Sequence, residues 1–247
     1  MKIAVAGGTG TVGRLVVERA REVGHDVAVL SRAAGVDLRD RAAVERTLAG
    51  ADALIDVASV GTTSAATATE FFSAASRALL HAAARTGVEH AVLLSIVGID
   101  RNPNGYYAGK VLQERLFKES AVPWSILRAT QFHEFAGQVA SQARLGPVQL
   151  APRARAQPVA AAAVAARLVD LAVAGPQGRV PDLAGPREER LDRMIRAWIR
   201  RDGSRRLVVP VSIPGAQMRG MREGLALPGP GATIAGPSFD EWLDSQR

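Results

Sequence analysis

Cysteine is absent from this sequence of 247 residues, so the chain can form no disulfide and no thiolate site for zinc or an iron–sulfur cluster. Aromatic residues are also scarce, at 4%, and the hydrophobic content of 47% comes mainly from Ala, Val and Leu. No window approaches the roughly 18 apolar residues of a membrane span, and the short apolar start lacks the features of a signal peptide. We therefore expect a cytoplasmic protein with a well-filled core, no metal site and no membrane partner.

The formal charge of +7 raises the question of nucleic-acid binding. Most of the 31 basic residues are arginines, and they are interleaved with acidic residues along the chain. The densest cluster, residues 186–206, follows an amphipathic helix pattern whose charged face is expected to be solvated. No zinc finger or aromatic RNA-binding signature accompanies it. We expect a small-molecule substrate and no nucleic-acid partner.

Short apolar runs alternate with helical patterns through the first half of the chain. Such runs indicate parallel strands buried on both faces, and therefore an α/β fold with a doubly wound parallel sheet. The predicted strands are 2–6, 26–30, 53–57, 90–95 and 124–127, and the predicted helices follow them at about 12–20, 42–48, 65–85 and 106–119. Ligands are expected beyond the carboxyl ends of the strands.

The alternation of apolar runs and helical patterns becomes less regular after residue 128. Helices are predicted at 159–174, 188–201 and 239–243, a strand at 207–211, and a loop at 227–237. We expect one domain over 1–247, in which 1–135 form the cofactor-binding core and 136–247 mostly a small C-terminal substrate-binding cap. The Ala-rich helix at 65–85 could pack against a symmetry mate, so a homodimer stays open.

A glycine-rich turn follows the first predicted strand and opens the first helix. Glycines at the first two positions permit a tight turn and close approach to a diphosphate, and the third lets the helix pack on the strand. Backbone N–H groups at the helix start would face the phosphates. A purely structural turn is the alternative, but the position between strand and helix favours a dinucleotide site comprising Gly7, Thr9, Gly10, Thr11, Val12 and Gly13.

The residues after the second strand bear on the choice between NAD(H) and NADP(H). An acid there would bind a ribose 2′-hydroxyl and repel a 2′-phosphate, but this chain has Ser31 and Arg32, which suit a phosphate. We therefore predict NADP(H), with NAD(H) as the weaker alternative. Asp37 could accept a hydrogen bond from the adenine amine, or it could be an ordinary carboxylate in a surface turn.

The only two tyrosines of the chain, Tyr106 and Tyr107, stand just before Lys110, one of three lysines. Residues four apart share a helix face, so the Tyr106 phenol and the Lys110 ammonium should point the same way. A nearby ammonium would lower the phenol pKa from about 10 and make it a usable acid.

Together these motifs resemble an atypical short-chain dehydrogenase/reductase of the NmrA-like branch. The resemblance rests on five segments and covers roughly residues 1–135: Ala6–Gly13, Asp37-Leu38, Leu94–Asp100, Tyr106–Lys110 and Ile126–Phe135. It implies a Rossmann-like fold, an NADP(H) or NAD(H) cofactor and catalysis by a Ser-Tyr-Lys set.

Carried onto this chain, the resemblance gives catalytic roles to Ser95, Tyr106 and Lys110. Ser95 would hydrogen-bond the substrate oxygen, Tyr106 would exchange the proton, and Lys110 would hold the nicotinamide ribose and lower the Tyr106 pKa. Residues bordering the cofactor or substrate would be Ala58 and Ser59 after the third strand, and Tyr107, Gln131, Phe132 and His133 around the pocket.

Several alternatives remain open at this point. Ser95 alone could be a strand-end cap, Tyr107 could simply pack its ring, and His133 could be a wall residue rather than a proton carrier. The spacing between Ser95 and Tyr106 is short for classical members, and no additional catalytic asparagine is evident. The function that the resemblance implies is an NADP(H)-dependent reductase or dehydrogenase for a small carbonyl, enone or quinone-like compound. An epimerase that uses bound cofactor and a catalytically silent, NADP-sensing regulator with a protein partner are the other two readings.

Overall fold

A computed structural model of the chain describes residues 1–246. A mostly parallel central sheet is formed from eight strands in this part of the chain. Its strands are β1 (Lys2–Ala6), β2 (Asp26–Leu30), β3 (Ala53–Asp56), β4 (His90–Ile96), β5 (Trp124–Ala129), β9 (Gly178–Arg179), β10 (Leu183–Ala184) and β13 (Thr233–Ile234).

Helices separate most of these strands along the chain. They are α1 (Thr11–Glu22), α2 (Arg41–Leu48), α3 (Ala65–Thr86), α4 (Tyr106–Lys118), α5 (Phe135–Gln142), α6 (Ala161–Ala174), α7 (Leu191–Arg201), α8 (Ala216–Arg222) and α9 (Phe239–Ser245), with a short 3-10 turn at Arg32–Ala34. No helix within residues 1–246 is both long enough and apolar enough to cross a bilayer.

The strand order β13-β10-β5-β4-β3-β1-β2 makes this sheet doubly wound. The chain moves from β1 to one side to form β2 and then crosses to the other side to form β3, and the β1–β2 and β1–β3 pairs are both parallel. The carboxyl end of β1 is therefore a topological switch point, where a crevice opens between diverging helices. The predicted α/β class and Rossmann-like topology are confirmed.

Apolar side chains cover both faces of the sheet. One face packs against α1 and α6, where Val16 and Leu168 are completely buried. The other packs against α2, α3 and α4, where Leu48, Leu79 and Phe117 are completely buried. Burial on both faces explains why the strands read as continuous apolar runs rather than as an alternation.

The C-terminal half contributes more to the central sheet than we expected. Residues predicted as a loop, 227–237, include β13, which pairs in parallel with β10. The strand predicted at 207–211 is present as β12 (Leu207–Val211), and it forms a small sheet with β7 (Val148–Pro152) and β6 (Arg144–Leu145). A second small sheet consists of β8 (Arg155–Ala156) and β11 (Glu189–Arg190). The strands β6, β7, β8 and β11 were not predicted. Strands of two residues carry too little periodicity to be recognised in a sequence.

A third apolar cluster lies beside the main sheet. It joins α5, α7 and α9 through Ile195, Trp198 and Trp242, and the two tryptophan rings stack with their centroids 6.0 Å apart. The predicted helices at 188–201 and 239–243 are both present, although the first begins three residues later, at Leu191.

Candidate functional site: a dinucleotide crevice beside Tyr106

The glycine turn lies at the switch point, between β1 and α1. Gly7 has φ +81°, a left-handed conformation that favours glycine, and a Cβ built there would lie 2.8 Å from Cα of Ala58. A Cβ on Gly13 would collide with the Gly7 carbonyl oxygen. The first glycine therefore lets the turn approach the loop after β3, and the third lets α1 start against the turn.

The start of α1 offers free backbone donors to an anion. Its N-cap, Gly10, has no side chain to satisfy the first-turn N–H groups, and no acidic residue stands in that turn. These N–H groups and the positive end of the helix dipole suit a diphosphate. The geometry fits the predicted dinucleotide at Thr11, Val12 and Gly13.

Ser31 and Arg32 stand where β2 ends, but their side chains have different surroundings. Ser31 is buried, and its Oγ accepts a hydrogen bond from the backbone N–H of Ala34 at 3.2 Å, so the hydroxyl shapes the 3-10 turn. The Arg32 side chain is exposed and, among residues 1–246, has no hydrogen bond or ion pair within the chain. Its guanidinium is available to an anionic group at this end of the crevice.

Asp37 is held by an arginine that the sequence reasoning passed over. Arg39 donates to both carboxylate oxygens, at 3.2 and 2.9 Å, and its backbone N–H donates to one of them at 2.9 Å. The side-chain hydrogen bond from Arg39 is the main cause that lowers the pKa of Asp37 to about 2. The carboxylate is thus ionised and lies in a surface turn, and its hydrogen bond with an adenine amine stays a prediction.

The loop after β3 joins the glycine turn to Tyr106. Ala58 of this loop faces Gly7, and the hydroxyl of the next residue, Ser59, is 3.2 Å from the hydroxyl of Tyr106, which donates to it. The Tyr106 ring lies edge-on to Phe72 of α3, with centroids 5.5 Å apart. The phenol therefore lies beside the loop that the glycine turn contacts.

Lys110 lies one turn further along α4 and is 4% exposed. Its Nζ donates to the carbonyl oxygen of Leu94 at 2.7 Å and also to Oε1 of Gln113, and it sits 4.8 Å from the centre of the Phe72 ring. Gln113 in turn donates to the buried carboxylate of Asp56 at 2.9 Å. Burial lowers the pKa of Lys110 to about 8, against the opposing effect of Asp56.

The predicted lowering of the Tyr106 pKa by Lys110 stays a prediction, and in this structure the pKa is raised. Burial raises the pKa of Tyr106, the hydrogen bond with Ser59 opposes the rise, and the charge of Asp56 adds to it. The Lys110 ammonium donates to Leu94 and Gln113 and not to the phenol.

Ser95 is placed beneath α4 rather than at the rim. It is 1% exposed, its Oγ has no well-formed hydrogen bond among the described residues, and it lies beside Glu114. Glu114 forms a bidentate ion pair with Arg128 at 2.7 and 2.9 Å. Although burial opposes it, that pairing lowers the pKa of Glu114 below its ordinary value.

Tyr107 and Gln131 meet on the inner side of α4. Tyr107 is buried, and its hydroxyl accepts a hydrogen bond from Nε2 of Gln131 at 3.4 Å. Burial raises the pKa of Tyr107, and the contact with Gln131 opposes the rise. Phe132 is half-buried and packs against the face of the sheet that α1 and α6 cover.

His133 is enclosed by the C-terminal helix. Its ring is fully buried, its Nε2 is 3.0 Å from the carbonyl oxygen of Pro237, and the Phe239 and Trp242 rings lie 5.7 and 5.3 Å away. Burial lowers the pKa of His133, against the effect of the Pro237 carbonyl. The imidazole is enclosed by protein groups in this structure, and its role in substrate binding stays a prediction.

Four residues that organise the site were missed: Asp56, Gln113, Glu114 and Arg128. A signal was present, since Gln113 and Glu114 follow Lys110 by three and four positions on α4 and so share its face.

With this geometry in place, the family is clear. The sequence model of the NAD(P)H-binding family matches residues 7–174, well over half of the chain, and the chain belongs to that family. The predicted nicotinamide dinucleotide cofactor is thereby confirmed. The sequence has no match among curated proteins.

Solved structures share the fold over nearly the whole chain. NADPH-dependent quinone oxidoreductase from Escherichia coli, complexed with NADPH, is 19% identical, with 98% of each chain covered and a TM-score of 0.76. A short-chain dehydrogenase/reductase superfamily protein from Agrobacterium tumefaciens with bound NAD is 18% identical, covers 99% of this chain and 95% of its own, and has a TM-score of 0.69. UDP-N-acetylglucosamine 4-epimerase from Methanobrevibacter ruminantium is 14% identical, with 98% and 94% covered and a TM-score of 0.72. Because similar folds carry both reductases and epimerases, the reaction must be argued from the site.

Proposed function

We propose that this protein is an NADP(H)-dependent oxidoreductase of the short-chain dehydrogenase/reductase type. Its substrate would be a small carbonyl, enone or quinone-like compound. The observation that carries the proposal is the position of the Tyr106 phenol, which is bonded to the same loop that the glycine turn contacts. The family's cofactor would supply or accept a hydride, and the chain then needs one proton donor beside it.

Tyr106 is the residue we propose for that proton. Burial raises the pKa of this phenol, and we propose that it donates its proton to a substrate oxygen as negative charge develops there. Lys110 is too deeply buried to touch the substrate in this structure. We propose that it orients α4 through its hydrogen bonds to Leu94 and Gln113 and balances the charge of the buried Asp56. The loop before Tyr106 contacts α8, since the Asn102 amide donates a hydrogen bond to the backbone carbonyl of Gln217. We propose that residues 136–247 supply the substrate side of the pocket in this way.

The preference for NADP(H) over NAD(H) is proposed from Arg32. The guanidinium is exposed and free of ion pairs within residues 1–246, and the position after β2 carries no acid to repel a 2′-phosphate. A charge-assisted pair of hydrogen bonds is worth about 1.5–3 kcal/mol, or roughly 10- to 150-fold in affinity.

The first test is titration of the purified protein with NADPH and NADH, followed by fluorescence. Arg32→Ala should weaken NADPH binding by that factor and leave NADH binding unchanged. Arg46→Ala is the matched control, because Arg46 is an exposed arginine on α2 without an ion pair in the described residues. Equal losses of NADPH affinity in the two variants would mean that Arg32 acts only through the overall positive charge of the protein. Failure of the wild type to bind either dinucleotide would refute the proposal.

Turnover is tested with Tyr106→Phe and a soluble quinone as the probe substrate. The variant should lose about 10²- to 10⁴-fold in kcat, the usual contribution of a positioned acid, with NADPH affinity unchanged. An unchanged rate would remove Tyr106 from the reaction.

A catalytically silent NADP sensor is the second candidate, and two observations favour it. Ser95 is buried away from the rim, and Lys110 is engaged with Gln113 instead of reaching towards Tyr106. A sensor would bind NADPH tightly, consume none with any carbonyl or quinone, and show no change in Tyr106→Phe. An epimerase would convert substrate without net consumption of cofactor, so product analysis separates the three.

A further inference from the structure

The hydroxyl that meets Tyr106 belongs to a residue for which the family resemblance implies no such role. We infer that Ser59, in the loop after β3, is the positioning residue for the Tyr106 phenol. The two hydroxyl oxygens are 3.2 Å apart, and Ser59 is exposed at the rim of the crevice. The inference rests on the proposed function only in taking Tyr106 as the acid; the hydroxyl pair itself does not depend on it.

Ser95 is excluded from this role by its place in the fold. At 1% exposure beneath α4, it neither bonds Tyr106 nor meets solvent. Its neighbour is Glu114, which is already committed to Arg128. Ser95 therefore belongs to the packing between β4 and α4.

Contacts of the loop after β3 and of the helices hold Ser59 and Tyr106 in place. On the loop side, Asp56 accepts a hydrogen bond from the backbone N–H of Ala58 at 2.9 Å, and the same carboxylate receives Gln113. Gly7, which lacks a Cβ, allows the glycine turn to abut Ala58. On the helix side, the Phe72 ring holds the Tyr106 ring edge-on. The distance between the two hydroxyls is thus fixed by buried contacts on each side.

A serine in this position can serve the phenol in both of its protonation states. In the resting site Ser59 accepts from Tyr106 and orients its O–H bond. When that O–H bond breaks and the proton goes to the substrate oxygen, the Ser59 hydroxyl can turn and donate to the phenolate, which later takes a proton from solvent. The other titratable groups around Tyr106 are Asp56 from β3, which disfavours the phenolate, and Tyr107 and Lys110 from α4, of which Lys110 is turned away.

The experiment uses the scarcity of tyrosine. The chain has two, so Tyr107→Phe leaves Tyr106 as the only one, and its ionisation can be followed by ultraviolet absorbance. In that background, Ser59→Ala should raise the pKa of Tyr106 by about one to two, the value of a hydrogen bond to a charged group. Ser59→Thr should restore it, and Ser95→Ala, the same change in the buried serine, should leave it unchanged.

Enzyme activity gives a second readout, the pH–rate profile, which would not change if Ser59 had only a structural role. With NADPH and a soluble quinone, Ser59→Ala should lower kcat by about tenfold and shift the basic limb of the pH–rate profile to higher pH, because the phenol then stays protonated longer. An unmoved Tyr106 pKa in Ser59→Ala, or an equal change in Ser95→Ala, would overturn the inference. If the pKa shift is seen but no variant turns over substrate, the hydroxyl pair stands and the proposed function falls.

Discussion

Removing the charge of Glu114 should destabilise the protein severely, because it would leave a buried guanidinium short of its partner. Arg128 donates to both Glu114 oxygens, and the two side chains are 7% and 3% exposed. The pair connects β5 to α4, the helix that carries Tyr106. The remaining acid on Arg128 is Asp100, at 3.0 Å, whose side chain is 59% exposed.

The magnitude follows from this burial. Breaking a buried ion pair by removing one partner costs about 3–5 kcal/mol, a large part of the roughly 5–15 kcal/mol that holds a domain folded. We expect Glu114→Gln to lie near the lower value because Gln retains an acceptor, and Arg128→Met to lie near the upper. The double variant should cost less than the sum of the singles by about 2 kcal/mol.

Urea denaturation of the four proteins measures this coupling. The control is the same cycle on Arg85 and Glu45, joined at 3.0 Å but 60% and 38% exposed, where coupling below about 1 kcal/mol is expected. A buried pair that couples no more strongly than the exposed one would refute the reasoning.

The pH dependence of the same variants gives an independent check. The pKa of Glu114 is lower in the folded protein, so the stability it contributes is present above its unfolded pKa of about 4.3 and is lost as the pH falls through the folded value. The difference in unfolding free energy between wild type and Glu114→Gln should therefore shrink in acid. A constant difference down to the lowest pH at which the protein folds would contradict the assignment.

Three further predictions concern packing, burial and capping. Gly109→Ala should destabilise by about 1–3 kcal/mol despite the helix preference for Ala, because a Cβ there would lie 2.8 Å from the α3 backbone, whereas Gly61→Ala, which meets open space, should be near neutral in the same urea assay. Wild-type stability should rise between pH 8 and about 10.5 because the unfolded state holds the Lys110 proton more tightly, and Lys110→Met should abolish that slope in unfolding curves taken across this range. Ser238→Ala should cost about 1 kcal/mol by removing the capping box of α9, and an unchanged thermal midpoint would show that the box contributes nothing.

The architecture of the first half could be predicted because its signals are local. Each strand is an apolar run and each helix has a periodic face, and the predicted α4 starts at the observed residue, Tyr106. The glycine turn could be recognised for the same reason, because consecutive residues determine both its conformation and its place between strand and helix.

Partners across the fold could not be predicted in the same way. The meeting of Tyr106 with Ser59 joins residues 47 positions apart, and that of Gln113 with Asp56 joins residues 57 apart. Spacing along α4 correctly put Lys110 on the face of Tyr106, but only the packed structure shows that Leu94 and Gln113 capture the ammonium. The edge strand β13 was missed because its identity comes from β10 and not from its own two residues.

The parallel pairing of β13 with β10 also bears on how the chain folds. Between these strands the chain must leave the sheet, build α7, β12 and α8, and return to the same edge in the same direction. Until it does so, the backbone groups of Leu183 and Ala184 form an open template on which another extended chain could pair. Long-range closure of this kind is slow compared with helix formation. This edge of the sheet is therefore open to misassembly while residues 186–232 are still being arranged.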